Sequence, residues 1–187
     1  MDNQLQIWDD ESLVNGCLHN KVTAQKELYD RFSSSMLGLC FRYARSRADA
    51  EDILQEGFIK VFFNLKQYRA HGSLEGWIKK IMVTTAINYL KKNKNLTESL
   101  ETEKAAIASA VLSSEHTLHT RDIISAIASM PPGYRTILNL YAIEGYSHKE
   151  ISGLLGITES TSRSQYVRAK SFLSRILESS QKVMVSK

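Results

Sequence analysis

Residues 145–177 constrain the fold most strongly, because they contain the start and stop signals of two successive helices. Ser147, followed three residues later by Glu150, forms a capping box, which predicts that a helix begins there. Gly156 suits the left-handed residue that closes a helix, and Thr158 can cap the next helix immediately. Two helices joined by so short a turn must cross steeply. The segment therefore predicts a helix-turn-helix.

The second of these helices has two different faces. Its inward stripe consists of Ser162, Tyr166, Ala169, Leu173 and Ile176. Its outward face combines small hydroxyl residues with cations, namely Ser160, Ser164, Ser171, Arg163, Arg168 and Lys170. Small central residues let a helix sit deep in a major groove, where flanking arginines can reach guanine edges or phosphates. The pattern favours DNA binding over the alternative, an ordinary helical hairpin with a solvated basic face.

The rest of the chain is predicted to be helical as well, because apolar residues recur at spacings of three and four. Three N-terminal helices are expected to bury Leu28, Phe32, Leu39, Tyr43, Leu54, Phe58, Val61, Leu65, Leu74, Ile78, Met82 and Tyr89. Near the C-terminal part, Ile123, Ile124 and Ile127 form a short stripe before the Pro131–Pro132 pair, which ends one helix and starts the next. The predicted fold is all-α, with two small helical domains at 12–94 and 120–178 joined by a flexible polar linker at 95–119.

The second N-terminal helix places acids beside large apolar residues away from its core face. Asp52 and Glu56 lie with Ile59 and Phe63 on that side, and Gln55 and Phe62 lie on its flank. Acids would repel DNA, whereas acids mixed with exposed apolar residues suit a protein partner. The pattern fits equally well a helix that is buried on both sides with acids at the rim. Both interpretations stay open at this point.

The third N-terminal helix has a face that suits unpaired DNA. Away from the core lie Trp77, Lys80, Thr84, Asn88 and Lys91. An aromatic ring can stack on a base while lysines neutralise phosphates. The polar loop before this helix could surround a flipped base. The alternative is a buried Trp77 beside solvated lysines.

Several function classes lack support in the composition. The chain has 187 residues, a net charge of +4 and only two cysteines, Cys17 and Cys40, which match no metal-ligand spacing. We expect no catalytic residue, cofactor or metal, and therefore no enzyme. The acidic N-terminus and the lack of a long apolar run predict a cytoplasmic protein without membrane insertion, in which both thiols are reduced and buried.

Three motifs in this order resemble a bacterial RNA polymerase sigma factor of the extracytoplasmic-function (ECF) group. They are DAEDILQEGFIKVF, GSLEGWIKKIMVTTAINYLKK and GYSHKEISGLLGITESTSRSQYVRAK. They are similar to the family's clamp-binding helix, its minus-ten reader and its minus-thirty-five helix-turn-helix. The resemblance covers roughly residues 12–178. It implies that 12–94 is a region 2-like domain and 120–178 a region 4-like domain.

The resemblance also implies three sets of site residues. The set that binds core polymerase consists of Asp52, Gln55, Glu56 and Phe62. The minus-ten set consists of Trp77, Lys80, Thr84, Asn88 and Lys91, preceded by the base-capturing loop from Arg69 to Ser73. The minus-thirty-five set consists of Thr161, Arg163, Ser164, Arg168 and Lys170. The chain departs from the family pattern at Thr84, often Asn; at Gln165, often Arg; and at Ser162, often apolar.

The function implied by this resemblance is binding of core RNA polymerase, promoter recognition, promoter melting and transcription initiation. The implied partners are core polymerase, promoter DNA as duplex and melted strand, and an anti-sigma factor. One rival function is a stand-alone helix-turn-helix regulator whose N-terminal block senses a ligand or dimerises. A second rival is an enzyme or a purely structural helical protein.

Overall fold

The computed structural model describes residues 8–94, 126–127 and 129–185, and every regular element in these ranges is helical. The N-terminal helices are α1 (Asp10–Leu18), α2 (Val22–Tyr43), α3 (Arg47–Asn64) and α4 (Leu74–Lys94), with a short 3₁₀ turn at Leu65–Gln67. The C-terminal helices are α5 (Pro132–Leu138), a π turn at Asn139–Ile143, α6 (His148–Leu155) and α7 (Glu159–Val185). The all-α prediction is confirmed. The predicted linker at 95–119 and the residues Ile123 and Ile124 lie outside the described ranges.

Helices α1 to α4 pack around an apolar core that includes the predicted residues. The predicted core positions of α2, α3 and the 3₁₀ turn, from Leu28 to Leu65, are all buried, as are those of α4 except Tyr89, which is half-buried. The Tyr89 hydroxyl donates to Asp49 Oδ1 at 2.6 Å and ties α4 to the start of α3. Asp49 also belongs to the capping box with Ser46 that begins α3. The same carboxylate therefore starts α3 and fixes its position against α4.

The predicted boundaries at Pro132, Ser147, Gly156 and Thr158 are present in the structure. Pro132 occupies the first turn of α5, where its missing N–H costs nothing. Ser147 and Glu150 form both halves of the capping box of α6, and Gly156 closes that helix with φ of 70°. The Thr158 hydroxyl accepts a hydrogen bond from the Thr161 amide at 3.1 Å and caps α7. The predicted helix-turn-helix is present.

A polar pair inside the helix-turn-helix explains one departure from the family pattern. Ser162 is fully buried, and its Oγ lies 2.9 Å from Nδ1 of His148, which is also buried. The His148 ring stacks on Tyr141, with ring centroids 4.3 Å apart, and meets the edge of Tyr166. A hydroxyl is therefore suited to position 162 because it satisfies a buried imidazole.

The N-terminal and C-terminal helices contact each other along α2 with α5 and along α4 with α6. Ile137, Leu140 and Ile151 belong to the same buried apolar cluster as the core of α1 to α4. A second, smaller cluster, Met130, Leu138 and Ala169, joins α5 to α7. The core therefore continues from one group of helices into the other.

Cys17 and Cys40 are both buried and unpaired, as predicted. Burial raises the pKa of both thiols, that of Cys40 to about 12. Within the described ranges, no helix is long and apolar enough to cross a membrane. No cluster of His, Cys, Asp or Glu in the same part of the chain could hold a metal ion.

Candidate nucleic-acid and protein interfaces

The outer face of α3 combines acids with exposed apolar side chains. Asp52, Gln55 and Glu56 are exposed, and Ile59 and Phe63 expose 59% and 80% of their surface. The interpretation of α3 as a helix buried on both sides is therefore wrong. Large apolar side chains left in water beside carboxylates are typical of a surface that a protein partner covers.

Three aromatic side chains, one on α2 and two on α3, form a cluster beside this face. Phe62 is half-buried, and its ring centroid lies 6.3 Å from that of Phe58, which in turn lies 4.7 Å from that of Tyr29 on α2. Glu56 forms an exposed ion pair with Lys60 at 2.6 Å. Such a pair is worth about 0–1 kcal/mol, so Glu56 can exchange Lys60 for a partner's cation at little cost.

One face of α4 presents the predicted minus-ten residues in a row. Lys80, Thr84, Asn88 and Lys91 are exposed, and Trp77 is half-buried, with its ring centroid 5.6 Å from that of Tyr68. Trp77 is therefore neither a free platform nor a fully buried core residue. The Thr84 hydroxyl donates to the Lys80 carbonyl at 2.8 Å, which leaves its oxygen free to accept a hydrogen bond from a base.

The loop from Arg69 to Ser73 is exposed and held in a defined shape. The Tyr68 hydroxyl donates to the Gly72 carbonyl at 2.8 Å, and the Ser73 hydroxyl accepts from the Gly76 amide at 3.1 Å. Ala70 has a φ of 54°, in the left-handed region that an alanine rarely adopts. Because Tyr68 contacts Trp77, this loop lies directly beside the α4 face.

The outward face of α7 carries the predicted duplex-reading residues. Arg163, Ser164, Arg168 and Lys170 are exposed, and Thr161 is half-buried, with its hydroxyl 2.8 Å from that of Thr158. Arg163 pairs with Glu159 at 2.9 Å on the same exposed face. Arg163 and Arg168 extend beside small serine side chains, and such a face can enter a major groove while the arginines reach bases or phosphates.

Val167 is an exposed apolar residue on this face that the sequence pattern did not single out. It exposes 62% of its surface in the middle of the α7 face, three residues after Ser164 and four before Ser171. That spacing places all three on one side of a helix. An exposed valine between serines and arginines is suited to contact a thymine methyl group.

Two family models match the chain over the helices that carry these faces. The model described as Sigma-70 region 2 matches residues 28–96, which include α3 and α4. The model described as Sigma-70, region 4 matches residues 120–173, which include α6 and the exposed face of α7.

Individual relatives agree with the family models. The ECF RNA polymerase sigma factor SigE of Mycolicibacterium smegmatis is 29% identical over 149 residues, covering 77% of this chain and 58% of that protein. The ECF RNA polymerase sigma-E factor of Haemophilus influenzae is 28% identical over 179 residues, covering 88% of this chain and 93% of that protein.

Solved structures share the fold. The sigma factor RpoE from Bartonella quintana, crystallised with the anti-sigma factor NepR, has a TM-score of 0.58 at 18% identity. The match covers 82% of this chain and 96% of that one. CnrH, in complex with the cytosolic domain of CnrY, has a TM-score of 0.51 at the same identity.

Proposed function

Because this chain belongs to the sigma-70 family of RNA polymerase sigma factors, in its extracytoplasmic-function group, we propose that the outer face of α3 binds core polymerase. The chain directs promoter recognition and transcription initiation. The observation that supports the role of α3 is the exposure of Ile59 and Phe63 beside Asp52, Gln55 and Glu56. Phe62, half-buried at the edge of this face, completes the contact.

The DNA contacts are divided between a region 2-like domain at 12–94 and a region 4-like domain at 120–178, joined by residues 95–119. In the first domain, α4 and the loop from Arg69 to Ser73 bind the melted minus-ten strand. In the second, the α7 face from Thr161 to Lys170 reads the minus-thirty-five duplex. The exposed lysines of α4 beside half-buried Trp77 support the first assignment, and the serine ridge between Arg163 and Arg168 supports the second.

The chain makes or breaks no covalent bond in this function, so it is no enzyme, and it acts with polymerase in the cytoplasm. Each domain binds DNA weakly by itself, because its set of exposed cations is small. Polymerase holds both domains on one promoter, which raises the effective concentration of the second contact once the first has formed.

An anti-sigma factor is the third partner that we propose. The solved sigma factors RpoE and CnrH are each recorded with a protein bound, NepR in one case and the cytosolic domain of CnrY in the other. The exposed apolar residues of α3 would suit such a protein as well as they suit polymerase, so the two would compete for this chain.

The α3 assignment is tested by reversing its charges. The double variant Asp52→Lys/Glu56→Lys should lose capture of purified core polymerase in a pull-down, because cations would replace the acids that the partner faces. The control, Glu11→Lys/Glu178→Lys, makes the same charge change at exposed acids of α1 and α7 and should bind normally. Retention of polymerase by the α3 variant would contradict the assignment.

A gel-shift assay separates this function from the rival of a stand-alone regulator. The free protein should bind a promoter fragment weakly, and specific retardation should require core polymerase. Tight, specific binding by the free protein would favour the regulator instead.

A further inference from the structure

One side chain closes the loop that leads into α4. The Tyr68 hydroxyl donates to the Gly72 carbonyl at 2.8 Å, four residues further along the chain. Tyr68 itself is half-buried and packs against the core of the N-terminal helices. Its backbone amide donates to the Leu65 carbonyl at 3.0 Å, in the 3₁₀ turn. The hydroxyl therefore ties an exposed loop to a fixed point of the fold.

This closure holds the loop backbone in a strained conformation. Ala70 has a φ of 54°, where the Cβ of an L residue is crowded by its own backbone. Gly72 has a φ of 153°, which side-chain-bearing residues rarely adopt, although a Cβ there would meet nothing within 4 Å. Strained backbone persists only where surrounding contacts hold it, and it is concentrated at binding sites. The Tyr68–Gly72 bond is a contact that spans Ala70 and ends at Gly72.

The closed loop leaves its backbone polar groups available to a ligand. No N–H from Arg69 to Ser73 donates to another of the residues that the structure describes, and the carbonyls from Arg69 to His71 accept no bond from them. The residues from Arg69 to Ser73 are all exposed. An unstacked base is recognised by hydrogen bonds to its edges. A loop of fixed shape therefore offers a fixed set of donors and acceptors to one unpaired base.

The same tyrosine also contacts the aromatic residue of the minus-ten set. The ring centroids of Tyr68 and Trp77 lie 5.6 Å apart, with the planes tilted by 57°. The Trp77 amide donates to the Ser73 carbonyl at 3.2 Å, so the end of the loop is also the start of α4. Tyr68 thereby fixes the loop relative to the Trp77 ring, and a base that used both would depend on it.

We propose that Tyr68 is a positioning residue for reading the minus-ten strand, because its hydroxyl keeps the loop from Arg69 to Ser73 in a base-binding shape before DNA arrives. A pre-organised loop loses less conformational freedom when it binds. Lys80 and Lys91 attract phosphates whatever the sequence, so the hydroxyl governs base preference and not the general attraction to DNA. This inference rests on the proposed function, since it takes the loop as part of the minus-ten reader.

The test compares the base preferences of the unaltered protein and Tyr68→Phe. Core polymerase with the full-length chain transcribes a library made from one of its promoters, in which the positions around minus ten are randomised. Sequencing of the transcripts gives the ratio of output between the best and the worst base at each position. Tyr68→Phe keeps the ring beside Trp77 and removes only the hydroxyl.

At the position read by the loop, this ratio should fall about fivefold or more, which is the discrimination that a pair of base-edge hydrogen bonds provides. At the other positions it should stay within about twofold of the unaltered protein, because the lysines and the Trp77 ring are retained. Unchanged ratios everywhere, or an equal fall at every position, would overturn the proposal.

A second substitution tests whether the hydroxyl acts through the shape of the loop. Glycine adopts the left-handed conformation without the cost that alanine bears. The double variant Tyr68→Phe/Ala70→Gly should therefore regain at least half of the lost preference on a logarithmic scale, and Ala70→Gly alone should behave like the unaltered protein. A double variant as defective as Tyr68→Phe would overturn the proposal.

Two more variants separate the loop from the tyrosine. Gly72→Ala disturbs the loop backbone without altering Tyr68, and it should reduce the preference at the same position. The control Tyr134→Phe removes the hydroxyl of another half-buried tyrosine, on α5, and should leave every ratio unchanged. A loss at a different position in Gly72→Ala, or the same loss in Tyr134→Phe, would contradict the assignment.

Limited digestion with trypsin gives a readout that involves neither DNA nor polymerase. Trypsin cleaves after Arg69 when the loop opens, and the cleavage rate follows the population of the open loop. Cleavage there should be about threefold faster or more in Tyr68→Phe than in the unaltered protein or in Tyr134→Phe. Equal rates would show that the hydroxyl does not hold the loop. Failure of the unaltered protein to support transcription would refute the proposed function, whereas the cleavage rates would still decide whether Tyr68 closes the loop.

Discussion

Replacing Ser162 by alanine tests the polar pair that joins the two helices of the helix-turn-helix. Ser162 is fully buried, and its hydroxyl lies 2.9 Å from Nδ1 of His148, which is 8% exposed. The substitution removes a single oxygen, so the lost packing is small. It also leaves a buried ring nitrogen without a partner, which costs about 1–3 kcal/mol. We therefore expect the free energy of unfolding to fall by that amount.

Urea unfolding followed by circular dichroism measures this loss, with melting temperature as a check at about 2–4 °C for each kcal/mol. A double-mutant cycle shows whether this loss of free energy comes from the contact between Ser162 and His148. In a His148→Phe background the ring can still stack on Tyr141, but no nitrogen needs a partner. Ser162→Ala should then cost close to nothing.

The control is Ser164→Ala on the exposed face of the same helix, which should change stability by less than about 0.5 kcal/mol. The reasoning is refuted if Ser162→Ala is as mild as this control, or if it costs the same in both backgrounds at position 148.

Three further predictions concern Val167, Arg168 and Cys40. Val167→Ala should leave folding and the salt dependence of DNA binding unchanged, but it should reduce discrimination at one thymine of the minus-thirty-five element by about 1 kcal/mol. Arg168→Ala should instead lower the slope of log affinity against log salt concentration by about one. Quantitative gel shifts with polymerase at several salt concentrations distinguish the two effects. Burial raises the pKa of the Cys40 thiol to about 12 from 9.0, so the folded state keeps a proton that the unfolded state loses. Stability from Cys40 should be present below pH 9 and be lost between pH 9 and pH 12. Urea unfolding at several pH values should therefore show a larger loss in the parent than in Cys40→Ala, which keeps the buried Cys17 thiol; an equal loss in both would contradict this prediction.

The helix-turn-helix could be predicted in detail because its signals are local. The capping residues Ser147 and Glu150 are three residues apart, and Gly156 and Thr158 act on the helix ends beside them. Local backbone chemistry fixes such features whatever the rest of the chain does. The core faces of α2 and α3 were predictable for a similar reason, since a helix repeats every 3.6 residues.

The outer face of α3 was not decided by its sequence. Ile59 and Phe63 share one helix face with Asp52 and Glu56, and this pattern fits both a rim of acids around buried apolar residues and an exposed binding surface. Only the position of the neighbouring helices distinguishes the two, because burial depends on which elements pack nearby. The structure leaves both apolar residues in water.

The partner of Ser162 and the ion pair between Arg42 and Glu144 could not be predicted either. Ser162 appeared only as a polar residue in an apolar stripe, and the histidine that explains it lies 14 residues earlier. Arg42 and Glu144 are 102 residues apart. Contacts at such separations follow from tertiary packing and leave no periodic signal in the sequence.

Run-off transcription with purified core polymerase on a genomic fragment library tests the central claim most directly. We expect discrete transcripts that require both this chain and core polymerase and that share sequences near minus ten and minus thirty-five. The same transcripts should disappear with the Asp52→Lys/Glu56→Lys variant and persist with the Glu11→Lys/Glu178→Lys control. Transcripts that are identical with and without the chain, or that are unaffected by the α3 variant, would contradict it.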